Sequence, residues 1–271
     1  GQSSFEVKNY KQARLYYQKA LVREGTNEDA LFGLGQADYY LGAKDAKMDT
    51  ECETVFKKLL EVNPENSLAY SYLGKLAAAG NKYKVASDYA KKAVELEPDY
   101  FLGYAYLAGL YDEKDDFDEA YKYYNLVVQK NPGYYYAYES IGMIAYHKEN
   151  YEEAVKAFGS AYKANPNNIS YALMIAASYQ KMKKSHYCKT FTEKAMKGLD
   201  RNSYEYLALR LLHDMNGDSA LTLKIQNETS KKKKGKYLFY LATYWSIKGN
   251  ESLAHKYYSE VTQVQGADFF E

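Results

Sequence analysis

SLAYSYLGKLAAAGNKYKVASDYAKKAVELEPDY (residues 67–100), FLGYAYLAGLYDEKDDFDEAYKYYNLVVQKNPGY (101–134) and YYAYESIGMIAYHKENYEEAVKAFGSAYKANPNN (135–168) are consecutive 34-residue segments that read as versions of one another. The chain has four prolines, Pro64, Pro98, Pro132 and Pro166, each 34 residues after the last. Proline lacks a backbone N–H and clashes with the helical turn before it, so it stops helices. Stops at one fixed interval are the punctuation of a repeat.

Side-chain size recurs at the same interval. Tyr70, Tyr104 and Tyr138 open each segment; Leu73-Gly74, Leu107-Ala108 and Ile141-Gly142 follow. Then come Tyr83, Phe117 and Tyr151, with Ala86, Ala120 and Ala154 three residues later. Apolar residues at i, i+3, i+4 and i+7 put one apolar stripe on each half-segment. Turn signals divide the halves at Gly80-Asn81, Lys114-Asp115-Asp116 and Lys148-Glu149-Asn150. The unit is therefore a helical hairpin. Its small residues let two helices approach, and its aromatics fill the space beside the contact. One hairpin cannot bury its own stripe, so neighbours must stack.

These columns resemble the tetratricopeptide repeat, a 34-residue helix–turn–helix unit. The resemblance implies an all-α fold, a right-handed superhelical solenoid of antiparallel helix pairs. In that family the first helices line a concave face that binds peptides or proteins. The whole chain, 1–271, divides as one solenoid of about eight units. Residues 1–27 read as a partial unit whose first helix lies upstream, and 28–66 as a unit carrying five extra residues in a turn around Gly42–Thr50. Regular units follow at 67–100, 101–134 and 135–168, then a weaker one at 169–202, a degenerate one at 203–234, and a last unit with tail at 235–271. The tail holds Phe269 and Phe270, and no complete polar cap follows the last apolar face. Self-association through uncapped ends is expected on that ground.

Composition bounds the class. Hydrophobic residues make up 46% and charged ones 26%, as in folded domains. No apolar run reaches the roughly 20 residues that cross a bilayer. Net charge is +1, with 17 Lys and Arg against 21 Asp and Glu in residues 1–135 and 19 against 14 in 136–271. That polarity is too mild for a dedicated nucleic-acid binder. The run Lys231–Lys234 with Lys236 reads as a solvated turn, its functional alternative being contact with anionic lipid or nucleic acid.

No catalytic or metal-binding motif is legible. Cys52 and Cys188 occupy the small-residue column of Ala86, Ala120 and Ala154 and read as buried packing residues, four units apart. His147, His186, His213 and His255 are scattered, without metal-ligand spacing. Gly33-Leu34-Gly35 falls inside a helix and makes no phosphate loop. No enzyme activity, cofactor or metal is expected.

Tyrosine is the outlier, with 33 residues. Carrying the family's concave face onto this chain selects Phe32, Gln36, Tyr39 and Tyr40, then Tyr72 and Lys75, then Leu102 and Tyr106. It continues through Tyr136, Glu139, Met143, Tyr146 and His147 to Met174, Phe239 and Tyr240. Tyrosine gives large contact area at low entropic cost, and Met adapts to varied surfaces. The competing reading is that neighbouring first helices pack these groups together. The Lys, Asn and Arg clamp with which some family members grip a chaperone's terminal carboxylate is replaced here by Phe32, Gln36, Tyr72, Leu102 and Tyr106.

The expected function is a non-enzymatic scaffold that binds a peptide segment or partner protein in a Tyr-rich groove. The alternative is a regulatory or substrate-recruiting region cut from a larger enzyme. The sequence leaves the location open: cytoplasmic by default, or the bacterial cell envelope if an upstream signal or lipid anchor has been removed.

Overall fold

The computed structural model describes residues 2–6, 8–42 and 46–264. Among these the chain is all-α, with sixteen helices and no strand. It divides into two compact units, Gly1–Asn131 and Pro132–Glu271.

The first unit runs α1 (Gln2–Glu6), α2 (Tyr10–Arg23), α3 (Glu28–Gly42), α4 (Ala46–Val62), α5 (Ser67–Ala79), α6 (Tyr83–Leu96), α7 (Phe101–Asp112) and α8 (Phe117–Lys130). Within it α3 packs on α4, α5 on α6 and α7 on α8, while α2·α3, α4·α5 and α6·α7 join successive hairpins. The glycines at the crossings are there for want of space. A Cβ on Gly35 would lie 2.7 Å from the Phe56 ring, and one on Gly33 only 2.2 Å from Tyr17. The buried residues of this unit gather locally. One group centres on Leu31, Phe56, Leu59 and Leu73, another on Ala90, Leu107, Leu110 and Tyr123.

The sequence places the five extra residues of 28–66 in a loop. They instead lengthen both helices, α3 to 15 residues against 13 in α5, and α4 to 17 against 14 in α6. Residues 43–45 lie outside the described residues. A partly buried ion-pair network braces this longer hairpin. Arg14 of α2 donates from Nε to Asp38 at 2.6 Å and from Nη2 to Glu51 at 2.6 Å. Burial raises the Asp38 carboxyl pKa, and the Arg14 hydrogen bond opposes that rise.

The second unit runs α9 (Tyr135–His147), α10 (Tyr151–Ala164), α11 (Ile169–Lys181), α12 (Ser185–Ala195), α13 (Tyr204–Asp214), α14 (Ser219–Gln226), α15 (Lys231–Ile247) and α16 (Glu251–Gln263). The lysine run is therefore the first turn of a helix and not a turn between helices, with Ser230 accepting at its N-cap from Lys233 N–H. Here the buried residues form one continuous core, from Ala145 and Phe158 through Tyr171, Met174, Leu209 and Leu212 to Tyr240 and Tyr244. The tail with Phe269 and Phe270 lies outside the described residues.

The 34-residue period is written into the backbone. Asn81, Asp115, Glu149 and Lys183 take left-handed φ of +58°, +57°, +60° and +58°, and Gly217, the next in register, takes +82°. The following N–H closes each helix by donating back: Lys82 to Ala77 O, Asp116 to Tyr111 O, Asn150 to Ala145 O and Lys184 to Tyr179 O, at 2.8–3.0 Å. This is the Schellman closure, which satisfies carbonyls left open at a helix end. Asp116 and Asn150 then cap the next helix, accepting from Glu119 and Glu153 N–H.

Two predictions follow from this geometry. A left-handed L-residue costs about 1–2 kcal/mol, less the entropy that glycine loses on folding. Glu149→Gly and Lys183→Gly should each raise the urea unfolding free energy by roughly 0.5–1 kcal/mol; a fall would show that the side chains contribute instead. The second prediction concerns the thiols. Burial pushes Cys52 up to about 12 and Cys188 up to about 11. An unfolded chain releases these protons above about pH 8.5 while the folded chain keeps them, so stability falls as pH rises, by at most about 1.4 kcal/mol per pH unit for each thiol. Urea midpoints from pH 7 to 10.5 should decline less steeply in Cys52→Ala than in the wild type.

Candidate functional site

The sequence nominates the first-helix surface, and the two units treat it differently. In the first unit it forms a connected aromatic and hydroxyl cluster. Tyr39 of α3 meets Tyr72 of α5 edge-on at 5.1 Å and Tyr40 at 5.5 Å. Phe32 meets Tyr72 at 6.1 Å, and Gln36 donates to the Tyr72 hydroxyl at 3.0 Å. The Tyr106 ring of α7 lies against Gly74 of α5, where a Cβ would come within 3.4 Å of it. Burial is the first cause of the raised pKa at Tyr39, Tyr72 and Tyr106, and keeps all three as phenol donors at neutral pH. The Tyr106 hydroxyl is buried with no hydrogen-bond partner among the described residues. Lys75 is an exposed residue whose ammonium lies 5.0 Å over the Tyr72 ring, and partial burial lowers its pKa. Tyr40 is 46% and Leu102 42% exposed.

Two further groups pack on this surface from outside the first helices of the full hairpins. Tyr10 stacks on Tyr40 at 4.9 Å and Phe5 meets it edge-on at 5.6 Å, both from helices that precede the first full hairpin. Phe56, from the second helix α4, stacks on Tyr72 at 4.9 Å and supports it from behind. Gly35 was the available signal for Phe56, because a glycine at a crossing makes room for a ring.

In the second unit the same surface is closed. Tyr146, Met174, Phe239 and Tyr240, read from the sequence as groove residues, are 7%, 0%, 6% and 0% exposed. The cause is α15, which packs against α11 as well as α13. Tyr240 donates to Ser170 O at 3.3 Å, Lys181 to Ser246 Oγ at 2.9 Å, and Lys236 to Ser170 Oγ. Thr243 and Tyr258 share a hydrogen bond of 3.1 Å, and Phe239 meets Tyr258 edge-on at 6.0 Å. These four residues are therefore core, and so is Tyr72 of the first unit, which at 8% exposure supports Tyr39 and Gln36 from below. Met143 is half-buried against that core, and Glu139 accepts from the Tyr171 hydroxyl. Burial lowers the pKa of His147, which ends α9. Tyr136, 55% exposed, touches Tyr134 and Tyr135 at the start of α9.

Among the described residues no three His, Cys, Asp or Glu side chains gather to hold a metal ion, and no helix is long and apolar enough to cross a membrane. Cys52 and Cys188 are buried free thiols.

Fold and packing together define a helical-hairpin repeat protein. Residues 107–169 match the model for the tetratricopeptide repeat. A solved MamA structure is 25% identical, with a TM-score of 0.55, covering 62% of this chain and 96% of that one. MamA from Desulfovibrio magneticus is 19% identical at a TM-score of 0.54, covering 62% and 92%. The C-terminal part of a TPR repeat-containing protein from Cytophaga hutchinsonii shares the fold at 14% identity and a TM-score of 0.60, covering 98% of this chain and 95% of that one. No curated protein sequence matches. The chain is an all-α helical-repeat protein that is similar to the tetratricopeptide repeat over residues 107–169.

The contrast between the two units is directly testable. Emptying a buried aromatic site costs about 3–5 kcal/mol, whereas exposed sites change stability by about 0.5 kcal/mol or less. Tyr240→Ala should shift the second unit's denaturation by the larger amount and Tyr40→Ala by the smaller. Equal effects would mean that both residues serve packing.

Proposed function

We propose that this chain is a non-enzymatic interaction scaffold that docks a segment of a partner protein on the first-helix surface of its first unit. The observation that carries this is the cluster of Gln36, Tyr39, Tyr40, Tyr72, Lys75 and Tyr106, joined across three helices with Tyr40 and Lys75 left open to solvent. Rings held by their neighbours lose little entropy when a partner covers them, and their hydroxyls supply directional contacts. Phe32 and Leu102 flank the seat. The second unit, whose equivalent face is filled by its own α15, serves as a folded neighbour and contributes no groove.

The test is affinity capture followed by purified binding. A partner taken up by the wild type should be retained by Tyr187→Ala, which alters an exposed tyrosine of α12. It should bind at least tenfold more weakly to a folded Tyr39→Ala/Tyr40→Ala double variant, the loss expected for two interface aromatics. Equal binding by all three proteins would move the docking face elsewhere.

A further inference from the structure

The first unit's surface has one register column that differs from the rest. Counting by 34 from Lys75 gives Gly109, and aligning the Leu34-Gly35 and Leu73-Gly74 pairs sets Gln36 in the same column. So α3, α5 and α7 present Gln36, Lys75 and Gly109 at equivalent places. Gly109 sits inside α7, where glycine weakens a helix relative to alanine. Packing does not require it, since a Cβ there would meet nothing within 4 Å. This is unlike Gly35, whose Cβ would strike Phe56 at 2.7 Å. A glycine that neither a turn nor a crossing demands leaves an unobstructed strip of helix beside Tyr106, where another backbone can come close.

Lys75 supplies the charge at this place. It makes no ion pair among the described residues, whereas Lys57, Lys92, Lys122 and Lys130 of the same unit each meet a carboxylate. Its ammonium lies instead over the Tyr72 ring. Partial burial there lowers its pKa, so its charge is held at a cost that a carboxylate partner would relieve. Beside it is the Tyr72 phenol, to which Gln36 donates and which Tyr39 meets edge-on. Glu113, at the C-cap of α7, is exposed. One ammonium among neutral donors suits one carboxylate better than a run of them, and suits it best on a chain lying across the Gly109 strip.

Resting on the docking reading above, we infer that the segment bound by the first unit is an extended peptide carrying one internal Asp or Glu side chain. Its carboxylate pairs with Lys75, and its backbone passes over Gly109 beside Tyr106.

The test is selection from a phage-displayed library of random dodecapeptides against the full chain, the Lys75→Met variant, and Lys122→Met as a control on α8. Wild type and Lys122→Met should enrich peptides with an acidic residue at one fixed place, and Lys75→Met should not. In a synthetic peptide from the wild-type pool, Glu→Gln at that place should weaken binding about tenfold, as expected for one charge-assisted hydrogen bond. Amidating its C-terminus should leave affinity unchanged. Gly109→Ala should raise the urea midpoint yet weaken peptide binding several-fold, a split that a purely structural glycine would not give. Enrichment without an acid, or with the same acid in Lys75→Met, overturns this inference and leaves the docking reading intact. Affinity that follows the terminal carboxylate overturns the internal acid. Wild-type binding by Gly109→Ala overturns the path across α7. If the wild type enriches no peptide, both readings fail.

Discussion

Each hairpin of this protein leaves an apolar stripe that only another helix can cover. That constraint explains the small residues at the crossings, since two helices must approach before their stripes can be shared. Gly35 against Phe56 and Gly142 against Phe158 are two instances, with Cβ clearances of 2.7 Å in both cases. The constraint has two solutions in this chain. In the first unit hairpins cover their neighbours, and buried side chains collect in separate local groups. In the second, a helix also reaches past its neighbour, and the local groups merge into one core.

The helix that reaches past is α15, and the region before it is the shortest in the stack. Helices α13 and α14 hold 11 and 8 residues, against 13 and 14 in α9 and α10. A shortened hairpin cannot keep its neighbours apart along their full length, so α15 settles onto α11. The phenol and ammonium groups that would otherwise face water there are taken up by Ser170 and Ser246. A partly open surface and a self-packed one thus arise from the same columns, separated by the length of one hairpin.

The hairpins and their turns were legible in the sequence because they depend on neighbours within one 34-residue unit. Pro98 and Asn81 mark boundaries through local backbone chemistry, and Ala86 or Gly142 marks a crossing through size alone. The closure of the second unit was not legible. Its polar contacts span 65 to 70 residues, from Lys181 to Ser246 and from Ser170 to Tyr240. A column-by-column reading compares each unit with the next and has no access to a contact two units away. Tyr146 and Tyr240 therefore looked like groove residues, for the same chemical reasons that make Tyr39 and Tyr72 look so. The lysine run misled in a related way. Lysines are poorly placed at the positive end of a helix dipole, yet Ser230 caps them and Lys236 reaches Ser170, so the helix begins four residues before the pattern suggests.

The difference between local groups and one merged core also governs how the chain responds to tension. A stack held by nearest-neighbour contacts yields a hairpin at a time, because peeling one leaves the next with most of its own interface. A body whose ends are cross-tied by α15 must lose that tie before any hairpin can leave. Drawn between its termini, the first unit would lengthen in small steps at low force, like a spring, while the second would hold and then give way in a single event.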